Sequence, residues 1–252
     1  MQEKKTSHSN SRRNFLKAAA GGITAVAPGV SLISIASADS GSATEPVTSK
    51  VRWGMLIDAN KCAAGCDDCV TACQDEHGWG AGSKDEQNSN QLQKAQWVRI
   101  VKVKDKSTQH EVQLPLMCQH CEAPPCADVC PTGASFKRAD GIVLVDKHLC
   151  IGCRYCMMAC PYKARSFIHE SLHDQQAHTP RGKGTVESCN FCVHRVDSGE
   201  IPACVESCQH GAMTFGDLND TASEISQKLK EYGGTQIRAD FGLNVGVRYR
   251  GI

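Results

Sequence analysis

Apolar and polar positions alternate along this chain in short bursts and never settle into long runs. "RWGMLID" (52–58) and "QWVRIVKVK" (96–104) carry the two-residue period of half-buried strands. "SFKRADGIVLVD" (135–146) sets two short runs around Asp140-Gly141, which predicts a hairpin. A helical stripe stands out in "DTASEISQKLKEYGG" (220–234), with Ile225, Leu229 and Tyr232 on one face and Gly233 as its stop. Two polar stretches, 74–94 and 169–188, are rich in Gly, Ser and Asn and read as surface insertions. They serve as flexible loops or as loops that dock a partner. The tail "RADFGLNVGVRYRGI" (238–252) reads as an extension that packs on this protein or on a neighbour. No run of 18 or more apolar residues predicts a spanning helix, so membrane association is expected through a partner only.

The first 38 residues have a different character. Lys4, Lys5, Arg12 and Arg13 precede a mildly apolar stretch, "FLKAAAGGITAVAPGVSLISI", that ends in Ala36-Ser37-Ala38. That order of parts is a signal peptide with a small-residue cleavage site. "SRRNFLK" resembles the twin-arginine motif, an address read by a receptor. Cleavage after Ala38 and a periplasmic mature protein follow as expectations. The segment carries five Lys/Arg and one acidic residue, so with a whole-chain net charge of +1 the remainder is slightly acidic. Nothing in that balance suits a nucleic-acid binder.

Composition then changes the picture of the core. Aromatic residues make up 5% of the 252 residues, while cysteines number 16. Every cysteine belongs to a group of four. Group one is Cys62, Cys66, Cys69 and Cys73; group two is Cys118, Cys121, Cys126 and Cys130. Group three is Cys150, Cys153, Cys156 and Cys160; group four is Cys189, Cys192, Cys204 and Cys208.

Group three, "CIGCRYCMMACP", reproduces the bacterial ferredoxin run C-x2-C-x2-C-x3-C-P, with Pro161 closing it. The tight loop of the first three cysteines suits three irons of a cubane and turns backbone N–H groups toward its sulfides. The fourth cysteine is expected to start a short helix, point away and ligate a neighbouring cluster. Groups should therefore work in pairs.

Other uses of the thiols fit less well. Structural zinc takes two well-separated C-x2-C knuckles, and only group four could pass for such a ribbon. Disulfide frameworks suit exported chains but belong to much smaller domains. Covalent haem needs C-x-x-C-H, which "CQHCE" and "CNFCVH" both miss. Cysteines of exported proteins normally become disulfides, and twin-arginine export of an already folded, loaded protein would keep these thiols occupied instead.

The chain also repeats downstream of its cysteines, in "CPTGA" (130–134), "CPYKA" (160–164) and "CQHGA" (208–212). Gly133 and Gly211 occupy matching offsets, where a positive φ lets the chain leave closely. His120, His194 and His210 lie beside cysteines but read as supporting or surface residues, because the thiols already fill four cubanes. Arg154, Lys163 and Arg165 either offset cluster charge or are solvated. The expected fold is α+β, two ferredoxin-like bis-cluster modules with short strands and short helices around four iron–sulfur clusters.

The four groups, in this order, resemble the four-cluster iron–sulfur subunits of membrane respiratory oxidoreductases of the dimethyl sulfoxide, polysulfide and tetrathionate reductase type. The resemblance spans about 51–215. "RWGMLIDANKC", the stretch from Met117 to Phe167 and "RGKGTVESCNFCVHR" are most similar to periplasmic iron–sulfur subunits of DsrMKJOP-type complexes of sulfur metabolism. Group one departs from the usual run with C-x3-C-x2-C-x3-C, and groups one and four lack the closing proline.

The resemblance implies four 4Fe–4S clusters and pairs groups one with four and two with three. Cys160 then joins Cys118, Cys121 and Cys126, while Cys130 joins Cys150, Cys153 and Cys156. Cys208 joins Cys62, Cys66 and Cys69, while Cys73 joins Cys189, Cys192 and Cys204. The implied modules interleave, 51–105 with 186–219 and 111–168 between them, followed by a helix and docking tail at 220–252. The implied role is electron transfer without substrate chemistry or catalytic residues of its own. Its implied partners are a quinone-reactive integral membrane subunit of the NrfD type and a multihaem cytochrome c or other redox subunit. A molybdopterin reductase partner and a structural zinc protein are the alternatives. No dinucleotide fingerprint or nucleophile–base pair points to an independent enzyme.

Overall fold

Trp53–Asp58 forms strand β1, and every residue of it after Trp53 is buried. A strand buried on both faces needs neighbours on both edges. Its neighbours come from the far end of the chain. β8 (Met213–Asp217) pairs antiparallel with it and β9 (Val247–Arg250) pairs parallel, giving the order β8-β1-β9. The computed structural model describes residues 47–80, 94–104, 106, 109, 111–172 and 175–252. The segment read as a twin-arginine signal lies outside the described residues, which all fall in the unit 44–252.

The remaining strands form small ladders. β2 (Val98–Lys104) runs antiparallel to β3 (Glu111–Met117), from Val98 opposite Met117 to Lys104 opposite Glu111. This hairpin bridges the expected boundary between the interleaved modules. β4 (Ser135–Lys137) and β5 (Val143–Val145) pair around Asp140-Gly141, as the sequence pattern predicts. Asp140 accepts from the Ile142 N–H and from Arg138, which also reaches Asp197. β6 (Ser166–Phe167) and β7 (Val186–Glu187) form the last pair. The architecture is α+β.

Helices are short. α1 (Asp68–His77), α2 (Pro125–Asp128), α3 (Tyr155–Ala159), α4 (Val193–Val196) and α5 (Ala203–Glu206) all lie in or beside the cysteine groups. α6 (Glu224–Tyr232) is the predicted amphipathic helix. Ser223 caps it by accepting from the Ser226 N–H, and Gly233 ends it at φ 73°. Ile225 packs its buried face, whereas Tyr232 stays half exposed under Arg250.

One expectation needs correction. The stretches at 74–94 and 169–188 are not simply surface insertions. Residues 74–77 complete α1, and His77 and Trp79 are 1% and 2% exposed. In the second stretch Thr179, Arg181, Thr185, Val186, Glu187 and Ser188 are buried. Polar side chains go inside there because they are paired. Arg181 Nη2 meets Glu187 Oε1 at 2.8 Å, and Arg181 Nη1 donates to the Gly78 carbonyl. Residues 81–93 lie outside the described residues. Of the two places expected for the tail, residues 247–250 take the one on this protein. β9 completes the central sheet, Tyr249 is fully buried, and its hydroxyl donates to the Pro115 carbonyl.

Candidate metal centres

All sixteen cysteines are free thiols, so no described pair forms a disulfide. The chain gathers them in fours, but the fours are not the groups of the sequence. Cys62, Cys66, Cys69 and Cys208 line one hollow, with Pro115 and Met213. Cys118, Cys121, Cys126 and Cys160 line a second, with Pro161, Tyr162 and Arg165. Cys130, Cys150, Cys153 and Cys156 line a third, beside Ile151 and Val186. The last four, Cys73, Cys189, Cys192 and Cys204, are all buried. Burial pushes the thiols of Cys189 and Cys204 far up, and the nearby Cys73 adds to both.

Helix geometry explains the crossing. Third cysteines lie inside helices, Cys126 in α2, Cys156 in α3 and Cys204 in α5. Each fourth cysteine follows four residues later. Cys130, Cys160 and Cys208 lie past the ends of α2, α3 and α5, where the chain has left the helical path (Cys160 is extended at ψ 111°), whereas Cys73 stays inside α1. Cys160 caps the C-terminus of α3. In groups two, three and four the fourth cysteine therefore follows its short helix, and in group one it lies within α1; in none does it start the helix, contrary to the sequence expectation.

A second regularity was not visible in the spacing. The residue just before the second cysteine has a positive φ in every group: Gly65 at 83°, His120 at 45°, Gly152 at 70° and Phe191 at 54°. That shared left-handed step curls each loop. The extra residue of group one sits upstream of the step and leaves it intact. The repeated exits match too, with φ 68° at Gly133, 49° at Lys163 and 57° at Gly211.

The surroundings suit anionic sulfur. Backbone N–H groups of Ser135, Val186 and Ala212 donate to Cys130, Cys150 and Cys208 at 3.3, 3.5 and 3.3 Å. Trp79 Nε1 donates to Cys73 at 3.3 Å. Arg165 is 5% exposed, and its Nη2 lies 3.0 Å from Cys126 Sγ. Burial disfavours its charge, but Cys126, Cys118 and Cys156 together hold its pKa above the ordinary value. Burial is the largest influence on the thiols themselves, pushing Cys69 and Cys121 up to about 12. Four thiols per site, with N–H donors and a buried cation, fit an iron–sulfur cluster. Arg154 and Lys163 are exposed, and Arg154 covers the Phe167 ring.

The four sets form a row. Besides its own set, Cys204 interacts with Cys69 of the first hollow, and Cys189 with Cys118 of the second. Cys156 of the third hollow interacts with Cys126 of the second. One end of the row is open: Cys153 is exposed, as are Ile151 and Met158 near it.

Histidines divide by environment. His120 is buried, accepts from the Val143 N–H at 3.0 Å and is held neutral by burial, which pulls its pKa to about 3. His210 is exposed beside the first hollow. His194 reaches Glu76. His77, which sequence reasoning passes over inside a polar stretch, lies with Nε2 3.2 Å from Cys192 Sγ. Its position four residues after Cys73, one helical turn, is the available signal.

Comparison with known proteins places these features. Two family models described as "4Fe-4S dicluster domain" match residues 109–218 and 61–134. The Hdr-like menaquinol oxidoreductase iron-sulfur subunit 1 of Archaeoglobus fulgidus is 43% identical over 235 residues, covering 81% of this chain and 85% of that protein. A tetrathionate reductase subunit of Salmonella typhimurium is 40% identical, over 72% of this chain and 64% of that protein. A putative dimethyl sulfoxide reductase iron-sulfur subunit of Halobacterium salinarum is 36% identical, over 78% of either chain.

Proposed function

Since the chain belongs to the family of 4Fe-4S dicluster iron–sulfur subunits, we propose that it carries four 4Fe–4S clusters as an electron-transfer subunit of a membrane-associated respiratory complex. The observation that carries this reading is the row of four thiol sets, each drawing three cysteines from one group and one from another. Bound there, the clusters supply one-electron carriers. The protein's part is to hold neighbouring sets close, exclude water from the inner two and tune them with Arg165 and backbone N–H groups. It has no substrate chemistry of its own.

The mature protein works in the periplasm, on the outer face of the cytoplasmic membrane, after twin-arginine export. "SRRNFLK", the apolar stretch and "ASA" support that placement. No described helix is long and apolar enough to cross a membrane. An NrfD-type quinone-reactive subunit would be its membrane partner, and a multihaem cytochrome c its redox partner in a DsrMKJOP-like complex of sulfur metabolism. The menaquinol oxidoreductase relative supports the quinone side. A second reading, service to a molybdopterin reductase, is favoured by the tetrathionate reductase relative. Anaerobic affinity purification from native membranes separates them. The first reading predicts a co-purifying integral membrane protein and c-type haem without molybdenum. Stoichiometric molybdenum would replace it with the second.

A further inference from the structure

Three side chains from three separate segments converge beside the fourth thiol set. Glu76 comes from the last turn of α1, His178 from the segment 175–184, and His194 from α4. His194 Nε2 lies 2.6 Å from Glu76 Oε1, and His178 Nε2 lies 3.6 Å from the same oxygen. One ligand atom from each residue sits within 4.8 Å of the others. The two imidazoles are 4.4 Å apart at 36°. We infer that Glu76, His178 and His194 form a binding site for a divalent transition-metal ion of the zinc type, separate from the thiol sites.

The donor set is the first argument. Two imidazoles and one carboxylate are a common three-residue ligand set for zinc, with a fourth position left to water. Bonds of about 2.0–2.1 Å in a tetrahedral site place ligand atoms about 3.4 Å apart. The observed separations of 2.6 and 3.6 Å bracket that value, so small side-chain rotations suffice. His178, with 39% of its side chain exposed, leaves an entry path and an open coordination position.

Charge is the second argument. Arg195 holds Glu76 Oε2 at 3.2 Å, which fixes the carboxylate and leaves Oε1 toward the imidazoles. That one guanidinium also meets Glu206 at 2.5 Å and Glu200 at 3.3 Å. Three carboxylates share a single arginine, so a dication beside Glu76 offsets charge that Arg195 alone leaves. His178 Nε2 also lies 2.8 Å from the Glu76 carbonyl oxygen, and ligation would replace that hydrogen bond. Such an ion would clasp the segment 175–184 against α1 and α4. It would brace the wall around Cys192, two residues before His194.

The test uses the anaerobically purified, cluster-loaded protein, cleared of loose metal by dialysis and titrated with zinc. The account expects one zinc per chain and an X-ray absorption edge showing only nitrogen and oxygen neighbours, at about 2.0–2.1 Å. His178→Ala, at an exposed position, should weaken zinc at least a hundredfold with iron content unchanged. His194→Gln should do the same. Absence of saturable zinc binding, zinc with sulfur neighbours, or undiminished affinity in His178→Ala would each overturn the site. Iron content reports separately on the electron-transfer reading, so failure of one is distinguishable from failure of the other.

Discussion

His120 and Phe191 stack face to face, with ring centroids 3.6 Å apart and planes at 21°. Each is the left-handed residue just before the second cysteine of its group, His120 in group two and Phe191 in group four. Both are at most 2% exposed. Equivalent positions of the two modules thus meet at the point where the second and fourth thiol sets approach. Scarce aromatics are spent at this seam, where Phe191 also packs edge-on against Phe215.

Removing that contact should loosen the seam without touching a thiol. Phe191→Ala is expected to cost about 3–5 kcal/mol, the usual penalty for emptying a buried aromatic site. Anaerobic denaturant unfolding checks it, with cluster absorbance and far-ultraviolet dichroism followed together. A change below about 1 kcal/mol would mean the stack is incidental.

The buried pair of Arg181 and Glu187 gives a second prediction. Glu187 is 1% exposed and its carboxylate is bound by Arg181 through Nε and Nη2. Glu187→Gln takes a buried carboxylate charge away from Arg181 and should cost about 3–5 kcal/mol. A midpoint equal to that of the parent protein in the same unfolding assay would contradict it.

Arg165 should act on redox potential more than on folding. Its guanidinium lies against Cys126 and interacts with Cys118 and Cys156 of the two adjoining sets. Arg165→Met removes a charge that favours the reduced, more negative state. A charged hydrogen bond of about 1.5–3 kcal/mol corresponds to a fall of about 60–130 mV for a one-electron carrier. Potentiometric titration monitored by electron paramagnetic resonance reads this. Unmoved potentials for both adjoining sites would remove Arg165 from the tuning role.

Export provides an independent check. Changing Arg12 and Arg13 together to Lys should leave a folded, cluster-loaded precursor in the cytoplasm, because the receptor reads the arginine pair. Cell fractionation with antibody detection decides it. Normal delivery of that double variant to the periplasm would show that the segment is not a twin-arginine signal.

What the sequence made legible was the local chemistry. The thiol groups are written in contiguous runs, and the Asp140-Gly141 hairpin, strand β1 and helix α6 follow from short-range pattern. What it hid were contacts between distant segments. The parallel pairing of β9 with β1 joins residues almost two hundred positions apart, and nothing in "VRYR" names its partner. Glu187 reads as a solvated charge until Arg181 folds over it. His77 and Trp79, set in a polar stretch, touch Cys192 and Cys73. Phe191 in a left-handed conformation was hidden as well, since only Gly normally announces that step.

In the proposed crossed ligation each cluster takes its fourth ligand from a partner group, which makes the protein a row of coupled sites. Cys160→Ser tests it most directly, since Cys160 ends α3 and lines the hollow of Cys118, Cys121 and Cys126. Electron paramagnetic resonance of the reduced variant, assigned against parallel Cys121→Ser and Cys153→Ser variants, shows which cluster is altered. The account predicts that Cys160→Ser reproduces the Cys121→Ser signature and leaves the cluster of Cys150, Cys153 and Cys156 close to normal. A spectrum matching Cys153→Ser would contradict crossed ligation and the paired architecture built on it.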